Sequence, residues 1–221
     1  TKLPITLQLA VGSMIIALAI GIPAGIVSAA RRGKFSDGVA NFAALSFISI
    51  PHFWLGIMLI LVFSVNLRWF PASGYVPLTD DVWRSLVSLF LPCVVLGTGV
   101  AGVMMRHTRG ALLQTLGADY VRTARAKGLT EKVVVLKHAL RNALVPVITL
   151  GAIEFGHLLS GAVLTEQIFS IPGFGKLIVD GILNRDYAVV QGVVVVSASL
   201  YILLNLAADV FYFVANPRMR G

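Results

Sequence analysis

Glu154 and His157 are the residues whose types and spacing most directly suggest chemistry. They lie within residues 142–165, a stretch that is otherwise free of Asp, Glu, Lys and Arg. At i and i+3 they share one face of a helix, and Glu-x-x-His is half of the metal site found in carboxylate-bridged helical bundles. The second copy and the two extra carboxylates that such a site needs are not present. We therefore predict no metal site, and expect both side chains to line a polar path.

Signatures of enzymatic chemistry are missing from the sequence. It contains neither H-E-x-x-H nor G-x-S-x-G nor a paired aspartate set. A phosphate-binding G-x-x-x-x-G-K-[ST] loop is also absent, because Gly173-Phe174-Gly175-Lys176 has the wrong spacing. We predict no catalytic residue and no cofactor bound by this chain, although an intramembrane enzyme remains a less favoured alternative.

The elements that must position these residues are long and apolar. The 221 residues are 57% hydrophobic and 13% charged, with a mean hydropathy of +0.86. Several runs exceed the roughly 18 uncharged residues that mark a spanning helix. They neither alternate nor have the ten-residue length of barrel strands, so helices are predicted. We place five spans at residues 5–30, 40–66, 85–105, 142–165 and 187–212 of one all-α membrane domain, 1–221.

Charge predicts the orientation of these spans. Thirteen of the 18 Lys and Arg residues fall in the loops after the first and third spans and in the C-terminal tail. By the positive-inside rule these segments face the cytoplasm, with the N-terminus outside and the C-terminus inside. The same rule explains the net charge of +8 better than nucleic-acid binding does. Asp209, near the inner end of the fifth span, is expected to pair with a basic loop residue.

Residues 106–141 form the most informative of the predicted loops. Good helix formers precede Gly128, which fits a helix stop with Arg125 and Lys127 in the last turn. Thr130 is a plausible N-cap for a second helix that carries Glu131 and Lys132 in its first turn. The pattern predicts two helices with a sharp bend at Gly128, a shape suited to docking in a groove of another protein.

This loop resembles the cytoplasmic EAA loop of ABC importer permeases. The general pattern is Glu-Ala-Ala, three residues, Gly, nine residues, Ile, one residue and Leu-Pro, of which Ala124, Gly128 and Leu140 fit. The variant of the dipeptide, oligopeptide, glutathione and nickel permeases, Asp-Tyr-Val-Arg-Thr-Ala-Arg-Ala-Lys-Gly, matches residues 119–128 throughout. Further similarity includes Ile50-Pro51 with Phe53-Trp54-Leu55-Gly56, and Phe169 with Pro172-Gly173. It extends over almost the whole chain, although the first family helix and an external segment are expected to be absent.

The resemblance implies a type I permease fold and a role in ATP-driven import of peptides or a similar small solute. It implies a second permease subunit, two cytoplasmic ATPases that bind ATP and Mg, and an external binding protein, all at a bacterial or archaeal plasma membrane. A nucleotide-independent channel or secondary carrier is the alternative, and the solute itself stays open. The residues expected to couple to the ATPase are Asp119, Arg122, Ala124, Arg125, Lys127, Gly128, Leu129, Thr130, Glu131, Lys132 and His138.

The two external loops are predicted at residues 67–84 and 166–186. The second contains a Pro-Gly turn with an aromatic residue, followed by a short amphipathic helix. We expect this turn, Pro172, Gly173, Phe174 and Gly175, to form an external gate or vestibule.

Overall fold

The computed structural model describes residues 2–215, without the side chains of residues 160, 161, 208, 209 and 211–215. Every regular element in this part of the chain is helical. Four helices in it are long and apolar enough to cross a membrane, and a bent helix pair can supply a fifth span. The predicted fold class is therefore confirmed. The side chain of Asp209 and the tail residues Arg218 and Arg220 lie outside the described residues.

Helices α1 (Leu3–Ala30) and α4 (Val82–Leu116) form the centre of the bundle. Glycines allow their backbones to touch: a Cβ on Gly21 would lie 2.7 Å from the carbonyl oxygen of Ala101, and one on Gly25 would lie 2.7 Å from that of Met105. Gly97 of α4 approaches Ser13 of α1 in the same way. Gly21 and Gly25 thus let the two helices approach closely, and α1 continues through Pro23 without a break.

The segment predicted as the second span, 40–66, is two helices rather than one. Helix α2 is Phe35–Ser49, and α3, His52–Leu59, continues as a π-helical segment, Ile60–Asn66. The two halves meet at an angle of 99°. The ring of Pro51 disfavours helical geometry in the preceding residue, and Ile50 is extended, with φ −74° and ψ 124°. Pro51 thus breaks the helix, an effect that a count of apolar residues does not register.

The predicted loop 106–141 is mostly helical. Helix α4 continues to Leu116, so at about 1.5 Å per residue it is longer than the roughly 30 Å hydrocarbon core requires. After α5 (Asp119–Ala126), the chain is helical again through α6 (Glu131–Val133), a π-helical segment (Val134–Ala139) and α7 (Leu140–Gly161). The spans predicted at 85–105 and 142–165 are therefore parts of helices with different bounds. Good helix formers continue the helical backbone hydrogen bonding beyond the apolar runs.

Three helices complete the described chain. They are α8 (Val163–Ile168), α9 (Phe174–Leu183) and α10 (Tyr187–Ala215), and α9 is the short helix predicted after the Pro-Gly turn. Residues 67–81 form no helix, and α4 begins where the Asp81 carboxylate accepts a hydrogen bond from the Arg84 amide (3.0 Å), a standard N-cap.

The buried apolar residues form two separate clusters. The larger lies among α1, α4 and α7 and includes Phe169 and Ile171 between α8 and α9. The smaller lies at one end of the bundle, beneath α5, and we call this the elbow end. Its members are Ala29, Leu112, Val121, Ala124, Val134, Val135, Ala139 and Ala143.

Candidate functional site

Helix α5 and the turn after it, residues 119–130, form a compact projection that we call the elbow. Val121 and Ala124 are buried against the smaller apolar cluster, while Arg122, Arg125 and Lys127 are exposed. Asp119 lies in the first turn of α5 and Arg125 in the last, which suits the helix dipole. The elbow therefore presents cations outward from an anchored apolar base.

Gly128 makes the bend of the elbow. Its φ of +78° lies in the left-handed region, which costs other L-residues about 1–2 kcal/mol. A Cβ at Gly128 would meet nothing within 4 Å. The requirement for glycine is therefore one of backbone conformation and not of space. The predicted pair of helices with a glycine bend is present.

An ion pair spans this bend. The Arg125 guanidinium donates to both carboxylate oxygens of Glu131, Nε to Oε1 at 2.7 Å and Nη2 to Oε2 at 3.2 Å. The pairing lowers the pKa of Glu131 and raises that of Arg125. Thr130 stands at the N-cap position with extended geometry, but its side chain makes no capping hydrogen bond. The capping contact predicted for Thr130 is therefore absent, and Glu131 is held by Arg125.

Other residues predicted to couple to the ATPase differ in their surroundings. Leu129 and Lys132 are exposed, and His138 is partly buried on the π-helical segment. The hydroxyl of Tyr120 lies 3.5 Å from the carbonyl oxygen of His138 and accepts a hydrogen bond from Asn142 Nδ2 (2.8 Å). Tyr120, which was not among the predicted coupling residues, thus ties α5 to the start of α7.

Sequence reasoning also missed a buried carboxylate at the elbow end. Asp37, in the first turn of α2, accepts from Arg109 Nε at 2.8 Å and from Nη2 at 2.9 Å. The Ser28 hydroxyl, the Gly33 amide and the Asn41 amide also donate to it. The Arg109 guanidinium and these further donors hold the pKa of Asp37 well below its usual range. The sequence signal that could have indicated this contact is the position of Asp37 as an acidic residue shortly after the basic turn at residues 31–34.

The predicted path residues Glu154 and His157 come together on α7. Glu154 Oε2 lies 3.9 Å from His157 Nδ1, with the two side chains 17% and 57% exposed. His157 Nε2 is 3.4 Å from the hydroxyl of Tyr201 on α10, and the two rings stack nearly parallel. Asn205, one helical turn further, has a buried Oδ1 without a hydrogen-bond partner. Tyr201 and Asn205 were not predicted, because periodicity within α7 carries no information about α10.

No group of three or more His, Cys, Asp and Glu side chains suited to a metal ion occurs among the residues the structure describes. The predicted external turn, Pro172–Gly175, lies at the end of the bundle opposite the elbow, where Gly173 and Gly175 are buried at the start of α9. The predicted sites therefore lie in three places: the elbow, the face of α7 towards α10, and the far end.

Comparison with known proteins identifies the family. The family model described as "Binding-protein-dependent transport system inner membrane component" matches residues 21–221. The chain belongs to this family. As a multi-pass inner-membrane permease, it is the pore-forming subunit of an ABC importer, and the ATPase is a separate chain. Family membership implies that the permease works with an ATPase, a binding protein and a second permease.

Several curated relatives are similar to the permease over nearly its whole length. It is 44% identical to the dipeptide transport system permease protein DppB of Escherichia coli (strain K12), over 97% of this chain and 70% of the relative. It is 45% identical to the di/tripeptide permease DppB of Pseudomonas aeruginosa (strain UCBPP-PA14), over 100% of this chain and 71% of that relative. For the glutathione permease GsiC of Escherichia coli O1:K1 / APEC the identity is 44%, over 97% of this chain and 68% of the relative.

A solved structure supports the fold. An inward-facing form of the MetNI methionine ABC transporter superimposes with a TM-score of 0.77 and 20% identity, covering 97% of the permease and 94% of the matched chain. These matches confirm the resemblance, inferred from the sequence, to ABC importer permeases of the dipeptide and glutathione family.

Proposed function

We propose that this permease imports peptides, or a solute of similar size and polarity, delivered by an external binding protein. Two ATPase subunits, which bind ATP and Mg, drive it at the elbow, and a second permease subunit completes the pore. Relatives named for dipeptides, di/tripeptides and glutathione support this substrate class. In this arrangement the elbow lies in the cytoplasm and the N-terminus outside.

The observation that carries the proposal is the anchoring of the elbow. Val121 and Ala124 of α5 share one buried cluster with Leu112 of α4 and Val134, which leads into α7. A push on the exposed cationic face of α5 would therefore reach two long helices through packed side chains rather than through a flexible linker. The Arg125–Glu131 pair and the hydrogen bond from Asn142 to Tyr120 oppose opening of the bend.

Orientation and docking are tested with single cysteines. Lys127→Cys on the elbow should resist a membrane-impermeant maleimide added to intact cells, and Arg68→Cys, at the opposite end, should react. In opened membranes Lys127→Cys should react and should also crosslink to the ATPase subunit. Labelling of Lys127→Cys in intact cells would overturn the orientation. Uptake by the purified permease without any nucleotide would favour a channel or secondary carrier.

The polar cluster on α7 is our candidate for the translocation path. A histidine with a 57% exposed side chain next to a carboxylate is costly against lipid, so such groups usually face a bundle interior or water. We expect Glu154→Cys and His157→Cys to react with a water-soluble thiol reagent in at least one transport state. Ile202→Cys, on an exposed apolar position of α10, is the control and should stay unreactive. Resistance of both path positions in every state would remove them from the path.

A further inference from the structure

Glu166 is a fully buried carboxylate that neither the coupling elbow nor the path explains. It lies on α8 at 0% exposure, beside Thr6 of α1, which is 2% exposed. Thr6 Oγ1 donates to Glu166 Oε1 at 2.6 Å. The backbone amide of Phe174 donates to Thr6 Oγ1 at 2.9 Å, and that of Lys176 donates to Glu166 Oε2 at 3.0 Å. One hydroxyl and one carboxylate thus join α1, α8 and the start of α9.

These contacts form an N-cap supplied from outside α9. The first amides of a helix have no partner within that helix, and α9 begins at Phe174 with no capping side chain of its own. The Thr6 hydroxyl oxygen accepts a hydrogen bond from the Phe174 amide, and the single hydrogen of that hydroxyl is donated to Glu166. Both carboxylate oxygens therefore accept, which favours the ionised form of Glu166 against the burial that raises its pKa. A carboxylate at the positive end of a helix is also favoured by the dipole.

The two glycines of the predicted gate are explained by this cap. A Cβ on Gly173 would overlap the Glu166 carboxylate, and one on Gly175 would lie 2.5 Å from the Cα of Val163. Glycine is needed at both positions because α9 begins in direct contact with α8. The start of α9 therefore has little freedom to shift while Glu166 and Thr6 hold it.

The cap also fixes the backbone at Phe174, next to a narrow gap at this end of the bundle. Phe174 lines a gap of only about 10 Å³ together with Gly156 of α7 and Tyr201 of α10, room for about one water molecule at most. The hydroxyl of Tyr201 lies 3.4 Å from Nε2 of His157. Phe174 thus lines the same gap as the side chain that links α10 to the candidate path.

We propose that Glu166 and Thr6 are positioning residues that hold α9 so that Phe174 closes the outer end of the translocation path. This inference rests on the proposed function, in which the elbow is cytoplasmic and the cluster on α7 lines the path. Opening of the path to the binding protein then requires α9 to leave the cap, because the backbone at Phe174 cannot shift while its amide is held by Thr6.

The test measures accessibility of position 174 in the assembled transporter in intact cells. Phe174→Cys is labelled with a membrane-impermeant maleimide, and the native Cys93, which is buried, gives the background. Adding E166Q or T6V should raise the labelling rate by about tenfold, as expected when a charge-assisted hydrogen bond that holds a closed state is lost. T6S, which keeps the hydroxyl, should leave the rate unchanged. Gln167→Ala, at the exposed neighbouring position, is the matched control and should also leave it unchanged.

Each outcome decides the proposal. Labelling that stays unchanged in both E166Q and T6V, at normal membrane levels of the complex, overturns it, as does an equal rise in Gln167→Ala. If E166Q does not assemble, the T6V and T6S pair alone decides. A bulky label at position 174 should also block uptake, and undiminished uptake after full labelling overturns the closing role of Phe174. Labelling does not depend on transport, so faster labelling in the cap variants with unreactive cysteines at 154 and 157 would reject the path and retain the cap.

Discussion

Arg109 of α4 donates two hydrogen bonds to the carboxylate of Asp37 of α2, from Nε to Oδ1 at 2.8 Å and from Nη2 to Oδ2 at 2.9 Å. Bidentate pairs of this kind are among the stronger and more directional contacts in proteins. Because Ser28 of α1 donates to the same carboxylate, three helices meet at Asp37. Arg109 lies seven residues before the end of α4, the helix that leads into the elbow. The contact therefore joins the elbow to the α1–α2 pair.

Asp37→Asn should weaken coupling between ATP hydrolysis and uptake. Asparagine offers one acceptor oxygen where five donor groups converge, and it leaves Arg109 without a counter-charge. We expect more ATP hydrolysed per solute imported, together with a lower thermal unfolding midpoint of the purified complex. Both the coupling and the unfolding midpoint of Arg109→Lys should lie between those of wild type and Asp37→Asn. Lysine keeps the positive charge but cannot donate the two parallel hydrogen bonds of the guanidinium.

The charge swap Asp37→Arg with Arg109→Asp is the informative control. Ser28, Gly33 and Asn41 all present donors at this position, so an arginine there faces donors instead of acceptors. We expect the swap to fail to restore uptake. Full restoration would mean that only the pair of opposite charges matters.

The Asp37 contact should be insensitive to mild acid. Its pKa is lowered by Arg109 and the other donors, so the stability that it contributes is present above the unfolded-state pKa of about 4. That contribution is lost only as the pH falls through the still lower folded-state pKa. The difference in unfolding midpoint between wild type and Asp37→Asn should therefore be constant from about pH 8 to pH 5. A difference that shrinks towards pH 5 would contradict the assignment.

The loss of coupling caused by substitutions at Gly128 should follow how poorly each residue tolerates a positive φ. Gly128→Asn should retain most coupling, Gly128→Ala less, and Gly128→Val least, because Asn tolerates the left-handed region and β-branched residues do not. The penalty for alanine is about 1–2 kcal/mol, to be measured as the fall in stability and in uptake per ATP.

Gly38 is the matched control for Gly128. A Cβ at Gly38 would likewise meet nothing within 4 Å, but this glycine lies within α2. Gly38→Ala should therefore be neutral or stabilising, by up to about 1 kcal/mol. Equal behaviour of the two alanine variants would show that the bend conformation is unimportant.

Breaking the Arg125–Glu131 pair should affect docking more than folding. Both side chains are substantially exposed, at 40% and 67%, and exposed pairs contribute about 0–1 kcal/mol. Glu131→Gln should hardly change the unfolding midpoint. Arg125→Ala should weaken association with the ATPase, measured by co-purification at low and high salt. A large loss of stability in Glu131→Gln would show that the bend depends on this pair.

Local patterns in the sequence predicted the apolar helices and the glycine bend, because each depends on near neighbours along the chain. Contacts over long separations were beyond those patterns. Asp37 and Arg109 are 72 residues apart, and Thr6 and Glu166 are 160 apart. The break at Pro51 was missed for another reason. Residues 40–66 are long and apolar enough for one span, and hydropathy does not distinguish a continuous helix from a broken one. Tyr201 was missed because its role comes from facing α7.

The glycine contacts between α1 and α4 limit how this bundle can move. At Gly21, Gly25 and Gly97 the two backbones are already too close to admit one methyl group. Sliding one helix along the other would drive neighbouring side chains into those gaps. Any change between outward-facing and inward-facing states must therefore tilt α1 and α4 together as one rigid body. The bending must then occur at Pro51 and at the start of α9.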